Sequence, residues 1–215
     1  MRRIYQAKFF NKYLPKENFI LFTLHVQPEA STDVLAPYYV NQLALVHQIA
    51  LTLPVQMRLV VKEHIPAFGT RKTVFYRQLL DIPNVWLLDR KFKNTDLLNS
   101  SKAVITISGT VAWEAWCIGK PVALFGNTRF DSLTGVRKLT SIYDLKLWIQ
   151  DLVNNKIVLQ EEKDIVHTIS ALLKSTTKGY FDHSIDDPRV LEKGNLESIA
   201  KGVVDRYLWI KNNAK

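Results

Sequence analysis

Three short groups of polar and charged residues stand directly after apolar runs in this chain, and each has the makings of a binding or catalytic element. His25 and Glu29 flank Pro28 in the run His25-Val26-Gln27-Pro28-Glu29. A carboxylate beside a histidine can exchange protons or orient a sugar hydroxyl. Lys62, His64 and Arg71 gather around Gly69, an electropositive loop suited to a phosphate or phosphodiester. Ser108-Gly109-Thr110 opens a segment of helical periodicity. There Gly109 permits close backbone approach, and the helix-start N–H groups and both hydroxyls can hold a phosphate. Glu114 follows Thr110 by four residues, so it projects from the same helical face one turn deeper, where a carboxylate can accept hydrogen bonds from a ribose diol. The candidate set is therefore Glu29 and His64 as catalytic groups, with His25, Gln27, Lys62, Arg71, Ser108, Gly109, Thr110 and Glu114 binding substrate.

Each group also has a plainer reading. Ser-Gly-Thr before a helix is a common N-cap turn, and Glu114 could pair with a lysine. A histidine at a strand end is often a satisfied hydrogen-bonding residue, and Glu29 could be a helix N-terminal residue favoured by the dipole. The histidines and Glu29 lack metal-ligand spacing, and neither a His-Glu-x-x-His motif nor an acidic cluster is present. No metal and no cofactor are expected. A Walker loop, a Gly-x-Ser-x-Gly elbow and a Gly-x-Gly-x-x-Gly fingerprint are likewise missing from the sequence. The single cysteine, Cys117, excludes an intramolecular disulfide framework and reads as a buried helix residue.

To converge, these groups need a scaffold that brings several loops to one edge. The chain alternates short, nearly continuous apolar runs with longer segments of helical periodicity, the pattern of β-α units around a parallel sheet buried on both faces. Five strands are expected: Phe19 to Leu24, Met57 to Lys62, Val85 to Leu88, Ala103 to Ile107 and Val122 to Phe125. Helices are expected over Val34 to Leu53, Arg71 to Leu80, Thr95 to Ser101 and Thr110 to Ile118, the last closed by Gly119. Right-handed crossovers then favour a Rossmann-like α/β domain with a doubly wound sheet, in which ligands bind beyond the carboxyl ends of the strands. After Phe125 the pattern turns helical, with Ser141 capping one helix, Asp164 to Leu173 a second, and an apolar face from Leu196 to Leu208 on the last. These helices are expected to cover the sheet. The domain is expected over 19–215, with 1–18 a basic N-terminal segment or remnant linker.

With 215 residues the chain can bury one good core but is slightly short for two domains. The net charge of +9 is spread along the sequence without a basic stripe interleaved with aromatics, so no nucleic acid partner is expected. The excess is read as solvated surface with weak attraction to anionic partners, including peripheral contact with a membrane. Residues 1–5 carry no apolar signal core, and no run approaches the roughly 20 apolar residues of a spanning helix. Together with the cysteine content, this places the expected setting in the cytoplasm.

Three segments together resemble the capsule polysaccharide biosynthesis family: Leu24 to Ser31, Val61-Lys62-Glu63-His64, and Ser108-Gly109-Thr110 through Trp113-Glu114-Ala115 with Gly119-Lys120-Pro121. The resemblance covers about Phe19 to Phe130. It implies the C-terminal, donor-binding half of a GT-B glycosyltransferase of the Kdo-transferase kind. In that half the His64 loop and the Ser108–Thr110 turn lie near the donor phosphate, Glu114 near the ribose, and Gln27-Pro28-Glu29 at the sugar end. Where family members commonly have proline directly after the histidine, this chain places Ile65 before Pro66. The resemblance implies a nucleotide-activated sugar, CMP-linked as a first expectation, and a polysaccharide or glycolipid acceptor. It also implies that another polypeptide or domain supplies the acceptor surface. Two alternatives stand beside this: a non-catalytic scaffold of a capsule-synthesis complex, and a nucleotide-sugar epimerase.

Overall fold

The structure, a computed structural model, describes residues 6–180 and 187–213. Its centre is six parallel strands: β1 (Asn18–Thr23), β2 (Met57–Lys62), β3 (Val85–Leu88), β4 (Ala103–Thr106), β5 (Val122–Leu124) and β6 (Val136–Lys138). They lie in the order β3-β2-β1-β4-β5-β6. The first three strands are laid down outward from β1 in one direction and the last three in the other. The loops that follow β1 and β4 therefore diverge at the middle of the sheet and leave a crevice between them. Register brings Phe22 level with Val61 on one side and Ile105 on the other.

Ile20, Leu21, Phe22, Leu59, Val60, Val61, Val104 and Ile105 are all fully buried, which is why these strands read as unbroken apolar runs without alternation. The sixth strand was not expected. Val136-Arg137-Lys138 is three residues long, charged and at the sheet edge, so it has neither the length nor the hydrophobicity by which a strand is recognised in sequence.

Among the described residues the α-helices packed with this sheet are α1 (Ala30–Asp33), α2 (Gln42–Thr52), α3 (Thr73–Leu80), α4 (Asn94–Ser100), α5 (Val111–Cys117) and α6 (Ile142–Val153). The segment expected as one helix from Val34 to Leu53 is divided. Pro37 starts a 3₁₀ turn, Pro37–Tyr39, and Asn41 caps α2 by accepting from Ala44 N–H at 3.1 Å. At 11 residues, α2 is too short to be stable alone, and packing holds it. Leu45, Val46 and Ile49 are buried in the core, each contributing on the order of 1.5–3 kcal/mol. Gly119, at φ +73°, ends α5 as expected, and Ser141 caps α6 by accepting from Asp144 N–H at 3.1 Å.

Residues ahead of Phe19 belong to the same core. Phe10 is buried edge-on against Phe68 and Tyr76, and Asn11 pairs with the outer strand at Leu88, covering part of an otherwise open edge. Residues 1–5, the start of the expected basic segment, lie outside the described residues.

The chain divides into two compact units, 1–160 and 161–215. Of the helices expected to cover the sheet, α6 belongs to the first unit, while those expected over Asp164 to Leu173 and Leu196 to Leu208 fall in the second. Its first helix, α7 (Glu162–Ser175), begins with a reciprocal capping box between Glu161 and Asp164. Its second, α8 (Lys193–Asn213), brings Gly202 against Thr177 so closely that a Cβ there would lie 2.0 Å from the threonine hydroxyl oxygen. Among the described residues no helix is long and apolar enough to cross a membrane.

Candidate functional site

The loop after β1 is held from two sides. Gln42, buried at the start of α2, accepts from His25 N–H at 2.8 Å and donates to His25 C=O at 3.0 Å and to Gln27 Oε1 at 2.7 Å. Gln27 in turn donates to Val40 C=O at 2.8 Å, and the following Gln27–Pro28 peptide is cis. With its amide spent in this way, Gln27 braces the loop and does not line the cavity described below. The His25 ring, pinned by its own backbone, reaches across the crevice, its Nε2 lying 3.1 Å from Thr106 Oγ1 at the end of β4. Burial pushes the His25 pKa down to about 4, with His64 and Arg71 adding to the effect and Glu29 opposing it. At neutral pH the ring is uncharged, so it offers a hydrogen bond and not a cation.

Behind the β2 loop sits a closed polar network. The Glu63 side chain is fully excluded from solvent. It accepts from His64 N–H at 2.8 Å, from Tyr76 O–H at 2.6 Å and from Arg71 Nε–H at 2.9 Å. Arg71 also donates to His25 C=O and lies over the Phe75 ring. It thus ties the β1 loop to the β2 loop as a strut, and it is set away from the cavity wall, contrary to its expected place on a phosphate. Reciprocal satisfaction of this kind makes a buried network rigid.

Lys62, at the end of β2, is almost completely buried and donates to Asn94 Oδ1 at 2.6 Å. Asn94 donates in turn to Glu114 Oε2 at 3.3 Å. Desolvation lowers the Lys62 pKa, and the Glu114 carboxylate partly restores it. Across the crevice, Ser108 donates its hydroxyl to Ser31 C=O at 2.6 Å, which joins the β4 loop to α1. Thr110 initiates α5 without a side-chain capping bond and is exposed. Glu29, also exposed, precedes α1 and accepts from Ser31 O–H at 2.8 Å. Cys117 is half-buried on α5, its thiol pKa raised by desolvation.

These loops enclose a cavity of about 420 Å³ at the carboxyl ends of β1, β2 and β4, within the size range of small-ligand sites. Glu29, His64, His25, Lys62, Ser108, Gly109 and Thr110 line it, Gln27 and Arg71 do not, and Glu114 is joined to the lining through Asn94. Asn94 lines it too, although sequence reading passed it over together with Gln42, Glu63, Tyr76 and Thr106. Only Glu63 had a visible signal: a carboxylate beside the end of an apolar strand, eight residues before an arginine. Among the described residues no group of three or more His, Cys, Asp or Glu side chains is placed to hold a metal ion.

Gly109 is where the two halves of the crevice come closest. A Cβ built there would lie 2.9 Å from Thr106 Oγ1 and 3.3 Å from His25 Cε1. Both neighbours are buried, and the ring is held by its backbone. Gly109→Ala is therefore expected to destabilise the protein by about 1–3 kcal/mol, the range for overpacking, read as a lowered urea midpoint. An unchanged midpoint would show that the crevice is looser than the distances say.

Residues 7–151 match the family model described as capsule polysaccharide biosynthesis protein. No curated protein sequence matches significantly. Among solved structures, the UDP-GlcNAc 2-epimerase of Methanocaldococcus jannaschii superposes with a TM-score of 0.51 at 13% identity, covering 80% of this chain and 49% of its own. The KpsC β-Kdo 2,7-transferase of Thermosulfurimonas dismutans gives 0.49 at 16% identity, covering 80% and 60%. The UDP-GlcNAc 2-epimerase of Neisseria meningitidis, bound to UDP-GlcNAc, gives 0.48 at 19% identity, covering 75% and 46%. The chain thus spans between about half and three fifths of the length of these structures.

Proposed function

This chain belongs to the capsule polysaccharide biosynthesis family, and from that premise we propose that its sheet unit is the donor-binding domain of a glycosyltransferase of capsular or surface polysaccharide synthesis. The observation that carries the reading is the placement of the cavity. It lies where the chain reverses direction across the sheet, with Lys62 and His64 on one wall and the Ser108–Thr110 turn on the other. Nucleotides bind at such a switch point because loops diverging from neighbouring strands leave backbone N–H groups and side chains free to face a phosphate.

In this reading the donor is a nucleotide-activated sugar, with a CMP-linked sugar as the first candidate. Lys62, His64, Thr110 and the turn at Gly109 receive the phosphate, and Glu114 takes the ribose. His25 supplies a neutral hydrogen bond at the crevice centre. Glu29, exposed at the mouth, faces the sugar, where it acts as a base or anchors a hydroxyl. Transfer is driven by electrostatic stabilisation of the departing phosphate in a preorganised site. The acceptor, a polysaccharide or glycolipid, is presented by a separate domain or chain. A scaffold role in a capsule-synthesis complex is the second reading. It calls for the same fold with an empty cavity.

Calorimetric titration of the protein with CMP, UDP and GDP tests the first reading. One of the three is expected to bind, and His64→Ala and Glu114→Ala are each expected to weaken that binding by about tenfold or more. Failure of all three to bind would sink the donor-site reading and favour the scaffold. Release of free sugar with inversion at one carbon, given a nucleotide-sugar, would point to epimerase chemistry instead.

A further inference from the structure

We propose that Asn94 is a positioning residue that keeps the Lys62 ammonium and the Glu114 carboxylate apart as two separate recognition groups, one for phosphate and one for a hydroxylated sugar ring. This rests on the nucleotide reading above. Among the described residues no direct ion pair joins Lys62 and Glu114. The Asn94 amide stands between them, accepting from Lys62 Nζ at 2.6 Å and donating to Glu114 Oε2 at 3.3 Å.

Asparagine at a helix start ordinarily spends its side chain capping the helix. Here Lys93 occupies the cap position and Asn94 is the first residue of α4, so its amide is turned to the cavity, where it forms part of the wall. The placement matters because a buried ammonium is costly unless something neutralises it. A carboxylate in direct contact would do so, but it would also cancel the charge that an anionic ligand needs. A neutral amide satisfies one of the three ammonium donors and leaves the charge in place. Its other end orients the carboxylate, which raises the Lys62 pKa back toward its ordinary value against desolvation.

The same geometry makes Asn94→Asp informative. The new carboxylate would pair with Lys62 directly but would also replace the N–H that faces Glu114 Oε2 with a second carboxylate oxygen, so the gained pairing is offset by like-charge repulsion and the urea midpoint is expected to change little. Affinity for CMP, UDP and inorganic pyrophosphate is nonetheless expected to fall by about tenfold or more, because the ammonium is already paired. Asn94→Ala removes the bridge without adding charge and is expected to cost about threefold to tenfold in nucleotide affinity. A residue that merely supported the fold would move stability and affinity together. Nucleotide affinity in Asn94→Asp equal to that of the unsubstituted protein would overturn the role of Asn94 while leaving the donor site standing. If the unsubstituted protein binds none of the three probes, the anion site and the role of Asn94 fall together.

Discussion

Glu63→Ala is expected to lower the stability of the protein by about 3–5 kcal/mol, the range measured when one partner of a buried ion pair is removed. The carboxylate is fully buried and takes three hydrogen bonds, from Arg71, Tyr76 and the His64 peptide. Truncation strips a charge partner from an arginine whose side chain is only 12% exposed, and takes the acceptor from a buried phenol. It also releases the two loops that Arg71 joins, so on the proposed donor-site reading nucleotide binding falls with stability. Glu63→Gln keeps the volume and one carbonyl acceptor but turns an N–H group toward a donor, and an intermediate loss is expected. Urea denaturation of both variants, with Arg71→Met as the second arm of a double-mutant cycle, measures the coupling. A loss below about 1 kcal/mol for Glu63→Ala, within the span of exposed pairs, would mean that the network is not closed as described.

The second large effect is one of pH. The His25 pKa stands at about 4 in the folded chain against an ordinary 6.5, chiefly because the ring is desolvated. Between those two values the unfolded chain binds a proton that the folded chain does not, so stability rises with pH across the window. The contribution is complete above pH 6.5 and is lost as the pH falls toward 4. By linkage it amounts to about 3 kcal/mol as an order of magnitude. Glu17 and Asp144, whose pKa values are lowered by hydrogen bonds, lose their contributions at more acidic pH and do so equally in a His25 variant. His25→Gln is therefore expected to be less stable at pH 7 but to lose less on acidification. Urea midpoints at closely spaced pH values from 7 to 4 would show the two curves converging, and parallel curves would refute the assignment.

Much of the architecture was legible because it is written locally. Five strands announce themselves as apolar runs such as Phe19-Ile20-Leu21-Phe22, since a strand buried on both faces has no choice of side chain on either. Gly119 and Ser141 mark helix ends through backbone conformation and hydroxyl chemistry that depend only on their neighbours. That the loops after the strands reach one edge also followed from sequence, because a parallel sheet with right-handed crossovers sends the end of every strand there, but the loop after β5, expected to join the others, does not line the cavity. The sixth strand escaped because at an exposed edge Arg137 and Lys138 serve as well as valine would. The last helices, taken as part of the sheet domain, form a unit of their own in which no described residue is buried.

Tertiary structure alone decided which polar groups are spent and which are available. Arg71 and Gln27 carried the right chemistry for a ligand, yet each is occupied by a partner, Glu63 in one case and Gln42 in the other. Asn94, from a helix unremarkable in sequence, completes the wall by meeting Lys62, 32 positions earlier in the chain. Composition and periodicity report burial, which is a property of one residue against solvent. A hydrogen bond is a property of two, and when they lie far apart along the chain only the fold determines whether they meet.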